Sequence, residues 1–212
     1  MKPDKAEGEA LAGVFGARSV GELEARYDAW AATYDAENAT AGFRLPTLVA
    51  GFVARYVTAG GDPVLDAGCG TGLAGDSLRI LGYRNLVGID LSQQMLAAAA
   101  RLEVYAALHR MTLGEHLDFP DRHFAASVAA GVFTEGHAPH SSFDELIRVT
   151  RPGGHLVFNV RDDIYERDGF REKQESLVAA GRWRLMEMSE RFRPFIVKEA
   201  GVVARIFVYR VL

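Results

Sequence analysis

Two acidic residues and a run of glycines dominate the chemistry written in this chain. The stretch VLDAGCGTGLAGDSL, residues 64–78, carries Gly68, Gly70, Gly72 and Gly75. Gly70, Gly72 and Gly75 match the dinucleotide fingerprint G-x-G-x-x-G, in which glycines let the backbone approach a ligand closely. Asp90 lies twenty residues beyond Gly70, at the end of the next apolar run. A carboxylate there can accept both hydroxyls of a ribose. Asp66 is the discordant residue. An acid two residues before Gly68 repels a pyrophosphate and suits an ammonium group. The glycines also begin at Gly68, two residues before the dinucleotide pattern would start. The loop is therefore expected to hold a cationic nucleoside rather than paired phosphates. A nicotinamide-dependent oxidoreductase using Gly70, Gly72 and Gly75 is the competing expectation.

A second cluster lies in AGVFTEGHAPH, residues 130–140. Glu135, His137 and His140 are the clustered titratable groups there, and they are candidates to take a proton from a substrate. The plainer reading is a solvated loop. Their spacing matches no zinc pattern, and no metal is expected. Leu23, Tyr27, Trp30 and Tyr34 fall four, three and four residues apart, so they share one helical face. Such a stripe is either core packing or an aromatic lid with π faces turned to a cation.

These residues need a frame. Ser19-Val-Gly-Glu22 is a capping box that starts a helix, and residues 46–58 form a second. Alternation then begins. Strands are predicted over 63–67, 86–90, 108–113, 123–133 and 155–160, with helices between them. Gly82 suits the left-handed position after one helix, and Ser92 caps the next. Ser142-Phe-Asp-Glu145 reads as another capping box, and Arg151-Pro152-Gly153-Gly154 as a sharp stop. A helix over 163–180 and two β-rich runs, 183–192 and 204–212, complete the chain. The short link between those runs predicts a hairpin, which places one antiparallel strand in an otherwise parallel sheet. The fold class is a doubly wound, Rossmann-like α/β sheet flanked by helices. Residues 1–18 are expected to be loosely ordered, and 19–212 to form one domain.

The 212 residues are 49% hydrophobic and 25% charged, with a formal net charge of −4. That balance lacks the basic footprint of a nucleic-acid binder. One cysteine, Cys69, permits no internal disulfide. The first residues lack the layout of a secretory signal, and no apolar run reaches membrane-spanning length. A cytoplasmic protein is expected.

VLDAGCGTG, GIDLSQQML and TRPGGHLVF together resemble the core of the class I S-adenosylmethionine-dependent methyltransferases. YDAWAATYD and GVFTEGHAP resemble the methyltransferase-like proteins named for the Williams–Beuren syndrome chromosomal region. The resemblance implies S-adenosyl-L-methionine as cofactor. It implies that Gly68, Cys69, Gly70, Thr71 and Gly72 pass beside its methionine part, with Asp66 near the ammonium group. Asp90 would hold the ribose, Leu91, Ser92 and Met95 the adenine side, and Thr112 and Leu113 the opposite edge. Many relatives carry Asp or Asn at the Thr112 position, so here the adenine amino contact is expected from a backbone group. Gly131 and Val132 would line the cofactor, and helices over 19–60 would form a lid through Tyr27, Trp30 and Tyr34. No Asn-Pro-Pro-Tyr or Asp-Pro-Pro-Tyr stretch follows the fourth strand. The implied acceptor is thus a small molecule or a protein side chain rather than nucleic acid. A non-catalytic protein that binds the cofactor or its demethylated product is the alternative, because no motif names an acceptor.

Overall fold

A computed structural model describes residues 17, 19–199 and 201–212. The expectation for 1–18 falls, Ala17 apart, outside the described residues. Three helices lead the chain: α1 (Val20–Trp30), α2 (Tyr34–Ala41) and α3 (Leu45–Tyr56). The alternating part follows as β1 (Pro63–Ala67), α4 (Leu73–Ile80), β2 (Asn85–Asp90), α5 (Gln93–Ala100) and β3 (Tyr105–Arg110). It continues as β4 (Phe124–Phe133), α6 (Ser142–Val149), β5 (Thr150–Arg161), α7 (Asp162–Arg167) and α8 (Phe170–Ala179). The hairpin strands are β6 (Trp183–Met188) and β7 (Ala204–Val211).

One seven-stranded sheet has the order β3-β2-β1-β4-β5-β7-β6. Strands β1 to β5 pair in parallel. β7 runs antiparallel to both β5 and β6, as the short hairpin link required. The order reverses between β1 and β4, so their exit loops diverge and open a crevice at the carboxyl ends of the strands.

Alternation sets the two faces of the sheet. Phe158, Val160, Phe207 and Tyr209 point to one side, where Phe133, Phe143 and Trp183 join them. Val157, Ile206 and Val208 point to the other and meet Leu45, Val49, Val53 and Leu78. The Trp183 and Tyr209 rings stack with centroids 4.0 Å apart, and the indole N–H donates to Gln174 O at 3.2 Å.

Several elements differ from their sequence-based bounds. The first helix breaks over residues 31–33, so Tyr34 opens α2 rather than continuing α1, yet Leu23, Tyr27, Trp30 and Tyr34 still share one cluster. β3 lies three residues earlier than predicted. It is an edge strand whose half-exposed residues carry little alternation, and residues 111–113 leave the sheet. Ser142 begins α6 itself and makes no cap; Glu145 accepts from Leu117 N at 2.8 Å and pairs with Arg148 instead. The helix does stop at Val149, as expected before Arg151-Pro152-Gly153-Gly154, but residues 150–154 already belong to β5 as a bulge: the pairing steps from Phe124–Thr150 to Ala126–His155. Gly169, with φ +75°, divides the predicted 163–180 helix into α7 and α8.

Candidate active site

The loop after β1 is drawn tightly against β2. Gly68 N and Cys69 N both donate to Ile89 O, at 2.8 and 2.9 Å. Gly70 N donates to Asp90 Oδ2 at 2.8 Å. Gly68 has φ +78°, and a Cβ there would stand 2.5 Å from Val132 Cγ2. Both the backbone conformation and the approach of the β1 and β4 exits therefore require glycine. Gly68→Ala is expected to destabilise the protein by about 1–3 kcal/mol through overpacking and strain. Chemical denaturation checks this, and an unchanged midpoint would show that the two loops separate freely.

Gly75 has a different reason to be glycine. A Cβ there would fall 2.2 Å from the Tyr105 hydroxyl. That hydroxyl donates to Asp66 Oδ2 at 2.6 Å. The match to the dinucleotide fingerprint at this position thus reflects a half-buried tyrosine reaching a buried acid, not a pyrophosphate. Sequence reasoning missed Tyr105, which sits in an edge strand with no motif around it. Asp66 is wholly buried, and its Oδ1 has no hydrogen-bond partner among the described residues. Burial raises its pKa from 3.8 to about 6; the Tyr105 hydroxyl opposes that rise, the charge of Asp90 adds to it, and the Gly75 amide opposes it.

Asp90 faces the cleft from the end of β2. Its second oxygen accepts from Ser92 N at 2.9 Å. Burial pushes its pKa up, while the amides of Ser92, Gly70 and Leu91 hold it down. Leu91, Met95, Thr112 and Leu113 line the same cleft, joined by Met111. Gly68, Gly70, Gly131 and Val132 form its floor, and Tyr27, Tyr34, Val20 and Leu23 its roof. Where a Cβ of Gly70 would project, no atom lies within 4 Å. Among the described residues Asp90 is the one Asp or Glu that lines the cleft, and no Lys or Arg does. That charge balance fits a neutral or cationic ligand and disfavours a pyrophosphate.

Other expected residues stand behind this lining. Asp66, Cys69, Thr71, Gly72 and Ser92 do not face the cleft. Cys69 is buried, and burial, reinforced by the charges of Asp66 and Asp90, pushes its thiol pKa well up, so it is inert as a nucleophile. Thr71 and Ser92 anchor the roof. Thr71 Oγ1 donates to Asp35 Oδ1 at 2.6 Å. Ser92 Oγ and Gln94 N donate to Asp28 Oδ1, at 2.5 and 3.1 Å. Arg110 pairs with Glu24 at the same edge. α1 and α2 are thereby held over the glycine loop.

The three candidate bases do not converge. His137 lines the cleft, and its Nε2 lies 2.7 Å from the Tyr27 hydroxyl. Its Nδ1 lies 2.7 Å from Glu135 O, so Nδ1 carries the proton and Nε2 accepts from Tyr27. Burial lowers its pKa to about 4, which keeps it neutral near pH 7. The Glu135 side chain pairs with Arg167 at 3.1 Å. His140 packs edge-on against Phe170, with ring centroids 6.0 Å apart. Among the described residues no His, Cys, Asp and Glu cluster could hold a metal.

A second cavity adjoins the cleft. Tyr27, Tyr34 and Gly131 line both. Trp30, expected over the cofactor, faces this second space together with Asn38, Phe43, Thr134, Asn159, Arg161 and Phe195. Those residues come from α1, α2, the link between α2 and α3, the ends of β4 and β5, and the β6–β7 loop. Trp30 apart, no local pattern in the sequence marks them.

The fold and cleft define a doubly wound nucleotide-binding-type sheet with its ligand space at the strand exits. Residues 65–158 match the family model described as a methyltransferase domain. Methyltransferase-like protein 27 of Homo sapiens is 33% identical over 165 residues, which cover 74% of this chain and 66% of that protein. Phosphatidylethanolamine N-methyltransferase of Cereibacter sphaeroides is 40% identical over 111 residues, 49% of this chain and 53% of the relative. This chain thus spans between about half and two thirds of those two relatives. In fold it is similar to the partner of the Trm112 methyltransferase activator of Haloferax volcanii. The TM-score is 0.66 at 18% identity, over 89% of this chain and 96% of that one. The chain carries a methyltransferase domain, on a Rossmann-like fold that it shares with that solved structure. The resemblance read from the sequence is borne out, and the oxidoreductase expectation gives way to it.

Proposed function

We propose that this chain binds S-adenosyl-L-methionine in the cleft and transfers its methyl group, by in-line displacement, to an acceptor in the adjoining cavity. The observation that carries the reading is the meeting of the two spaces at Tyr27, Tyr34 and Gly131. In this reading Asp90 holds the ribose hydroxyls, Leu91 and Met95 pack on the adenine, and Thr112 and Leu113 close its far edge. The Gly68–Gly72 loop runs beside the amino-acid part, and buried Asp66 offers negative charge behind it. The cofactor, when bound, supplies an electrophilic methyl on a sulfonium whose thioether leaves readily.

The chain's own work is alignment and exclusion of water. Holding two reactants in register contributes on the order of 7–11 kcal/mol in favourable systems. α1 and α2, fastened through Asp28 and Asp35, close the roof. Tyr27 and Tyr34 present rings where the spaces join. Where an acceptor must lose a proton, His137 is the residue placed to draw it through the Tyr27 hydroxyl. Glu135 and His140 lie away from both spaces. A small molecule suits the second cavity, lined by Trp30, Phe43 and Phe195, better than nucleic acid. A cytoplasmic setting belongs to the same proposal, supported by the single buried cysteine. No described helix is long and apolar enough to cross a membrane.

Tyr34→Ala is expected to weaken S-adenosylmethionine binding by about 3–30-fold, the range of a desolvated cation–π contact. Calorimetry checks this; an unchanged affinity would return Tyr34 to packing alone. The activity itself is tested by incubating the protein with labelled S-adenosylmethionine and fractionated cell extract. Label entering a fraction only with active protein is the expected result. Tight binding of S-adenosylhomocysteine with no labelled fraction would point to a non-catalytic sensor.

A further inference from the structure

Tyr105 has a place built for it. It opens β3, two strands away from Asp66. Its ring crosses β2 at Gly88, the register partner of Asp66 on one side and of Leu108 on the other. A Cβ on Gly88 would stand 3.2 Å from that ring, one on Gly72 3.3 Å, and one on Gly75 2.2 Å from the hydroxyl. Three glycines, on β2 and around the start of α4, thus leave the notch through which the phenol reaches β1. There its hydroxyl donates to Asp66 Oδ2 at 2.6 Å, and no other described side chain donates to that carboxylate. Asp66 Oδ1 is left without a partner among the described residues. Desolvation, reinforced by the charges of Asp66 and Cys69, pushes the phenol pKa up, so the group stays a donor. Three other groups act around Asp66. The charge of Asp90, from β2, opposes its ionisation, and the Gly75 amide, from α4, favours it. The Cys69 thiol, from the loop, is itself held neutral.

We propose that Tyr105 is a positioning residue of the cofactor site: its hydroxyl fixes Asp66 through Oδ2, keeps the carboxylate charged, and so sustains the negative pole behind the glycine loop for the cofactor's ammonium group. This rests on the methyl-transfer reading and adds to it a residue outside the cleft lining. A buried carboxylate with an unpartnered oxygen takes up a proton unless a donor stabilises its charge. A phenol supplies that donor without adding a cation, which would compete with the ammonium group. The effect on binding has a definite sign. Below about pH 6 Asp66 carries its proton in the folded protein, and there the ammonium group loses its partner. Removing the Tyr105 hydroxyl raises that point, because a hydrogen bond to a charged group favours the ionised form; the size expected is about 1–2 pH units. At pH 7 a chain without the hydroxyl should therefore bind the cofactor about 2–10-fold more weakly.

The test uses the full chain and two probes: S-adenosylhomocysteine, and 5′-methylthioadenosine, which shares the nucleoside but has no ammonium group. Asp90 faces the nucleoside of both, so its own protonation moves both alike. Calorimetry from about pH 5 to pH 8 is expected to show S-adenosylhomocysteine affinity falling, relative to 5′-methylthioadenosine, below about pH 6 in the parent and below about pH 7–8 in Tyr105→Phe. Phenylalanine keeps the ring in its notch. 5′-Methylthioadenosine should therefore bind parent and variant within about threefold at every pH, which also shows that the variant folds. In an Asp66→Asn chain the added Tyr105→Phe change should shift nothing further. Parallel pH profiles for the two probes in the parent, an unshifted profile in Tyr105→Phe, equal losses for both probes, or an effect that persists in the Asp66→Asn chain overturns the proposal. Failure of the unmodified chain to bind S-adenosylhomocysteine at any pH would instead overturn the methyl-transfer reading beneath it.

Discussion

Asp90→Ala is expected to lower S-adenosylhomocysteine affinity by at least about 100-fold, because a ribose held by a buried carboxylate loses charge-assisted hydrogen bonds worth about 1.5–3 kcal/mol each. The same change damages the apo protein. Asp90 Oδ2 accepts from Gly70 N and Oδ1 from Ser92 N. Both amides are left without an acceptor in a buried place. The expected loss of stability is about 2–5 kcal/mol. Asp90→Asn should do almost as badly, since its NH2 must face one of those two N–H groups. Calorimetry at a temperature where circular dichroism shows the variant folded separates the effects. A dissociation constant within about threefold of the parent would remove Asp90 from ribose binding.

Asp66→Asn is expected to act in the opposite direction on stability. The pKa of Asp66 is about 6 in the folded protein, against 3.8 for an ordinary aspartate. The folded state therefore binds this proton more tightly than the unfolded chain. Below about pH 4 both states are protonated and the group costs nothing. As pH rises towards 6 the unfolded chain releases the proton first, and stability falls by about 3 kcal/mol before levelling off. Asparagine removes that titration while keeping an acceptor for the Tyr105 hydroxyl. The variant should therefore be the more stable protein at pH 8, by on the order of 2 kcal/mol, and should lose its advantage near pH 4. Its affinity for S-adenosylmethionine should fall, because a negative charge behind the loop is gone. Urea midpoints at pH 4 and pH 8 decide the matter: a pH-independent difference would show that Asp66 does not titrate in this window. Both outcomes together would mark a residue kept for binding at the expense of stability.

The two predictions differ in how visible their residues were. Asp90 was legible because its position is local: it ends an apolar run and follows a glycine loop by a fixed interval. Asp66 was legible as an acid, but its surroundings were not. Tyr105, which donates to it, lies 39 positions away in an edge strand with weak alternation. The aromatic stripe shows the same division. Its spacing predicted one shared face, and Leu23, Tyr27, Trp30 and Tyr34 do cluster, although the helix breaks between Trp30 and Tyr34. What the spacing could not assign was which space each ring would face. Trp30 turned to the second cavity, and Tyr27 and Tyr34 to both.

By itself the sequence determined the parallel sheet with its reversed last strand, the glycine bend at Gly68, and an acid at the end of β2. These follow from period, turn chemistry and short loops, all of which act between residues close in the chain. Only the tertiary structure decided that Glu135, His137 and His140 part company, and that Asn159 and Arg161 meet Phe43 and Phe195. Those groupings depend on strand order and on how α1 and α2 dock over the sheet. Docking is set by many weak long-range contacts at once, and no single stretch of residues carries their sum.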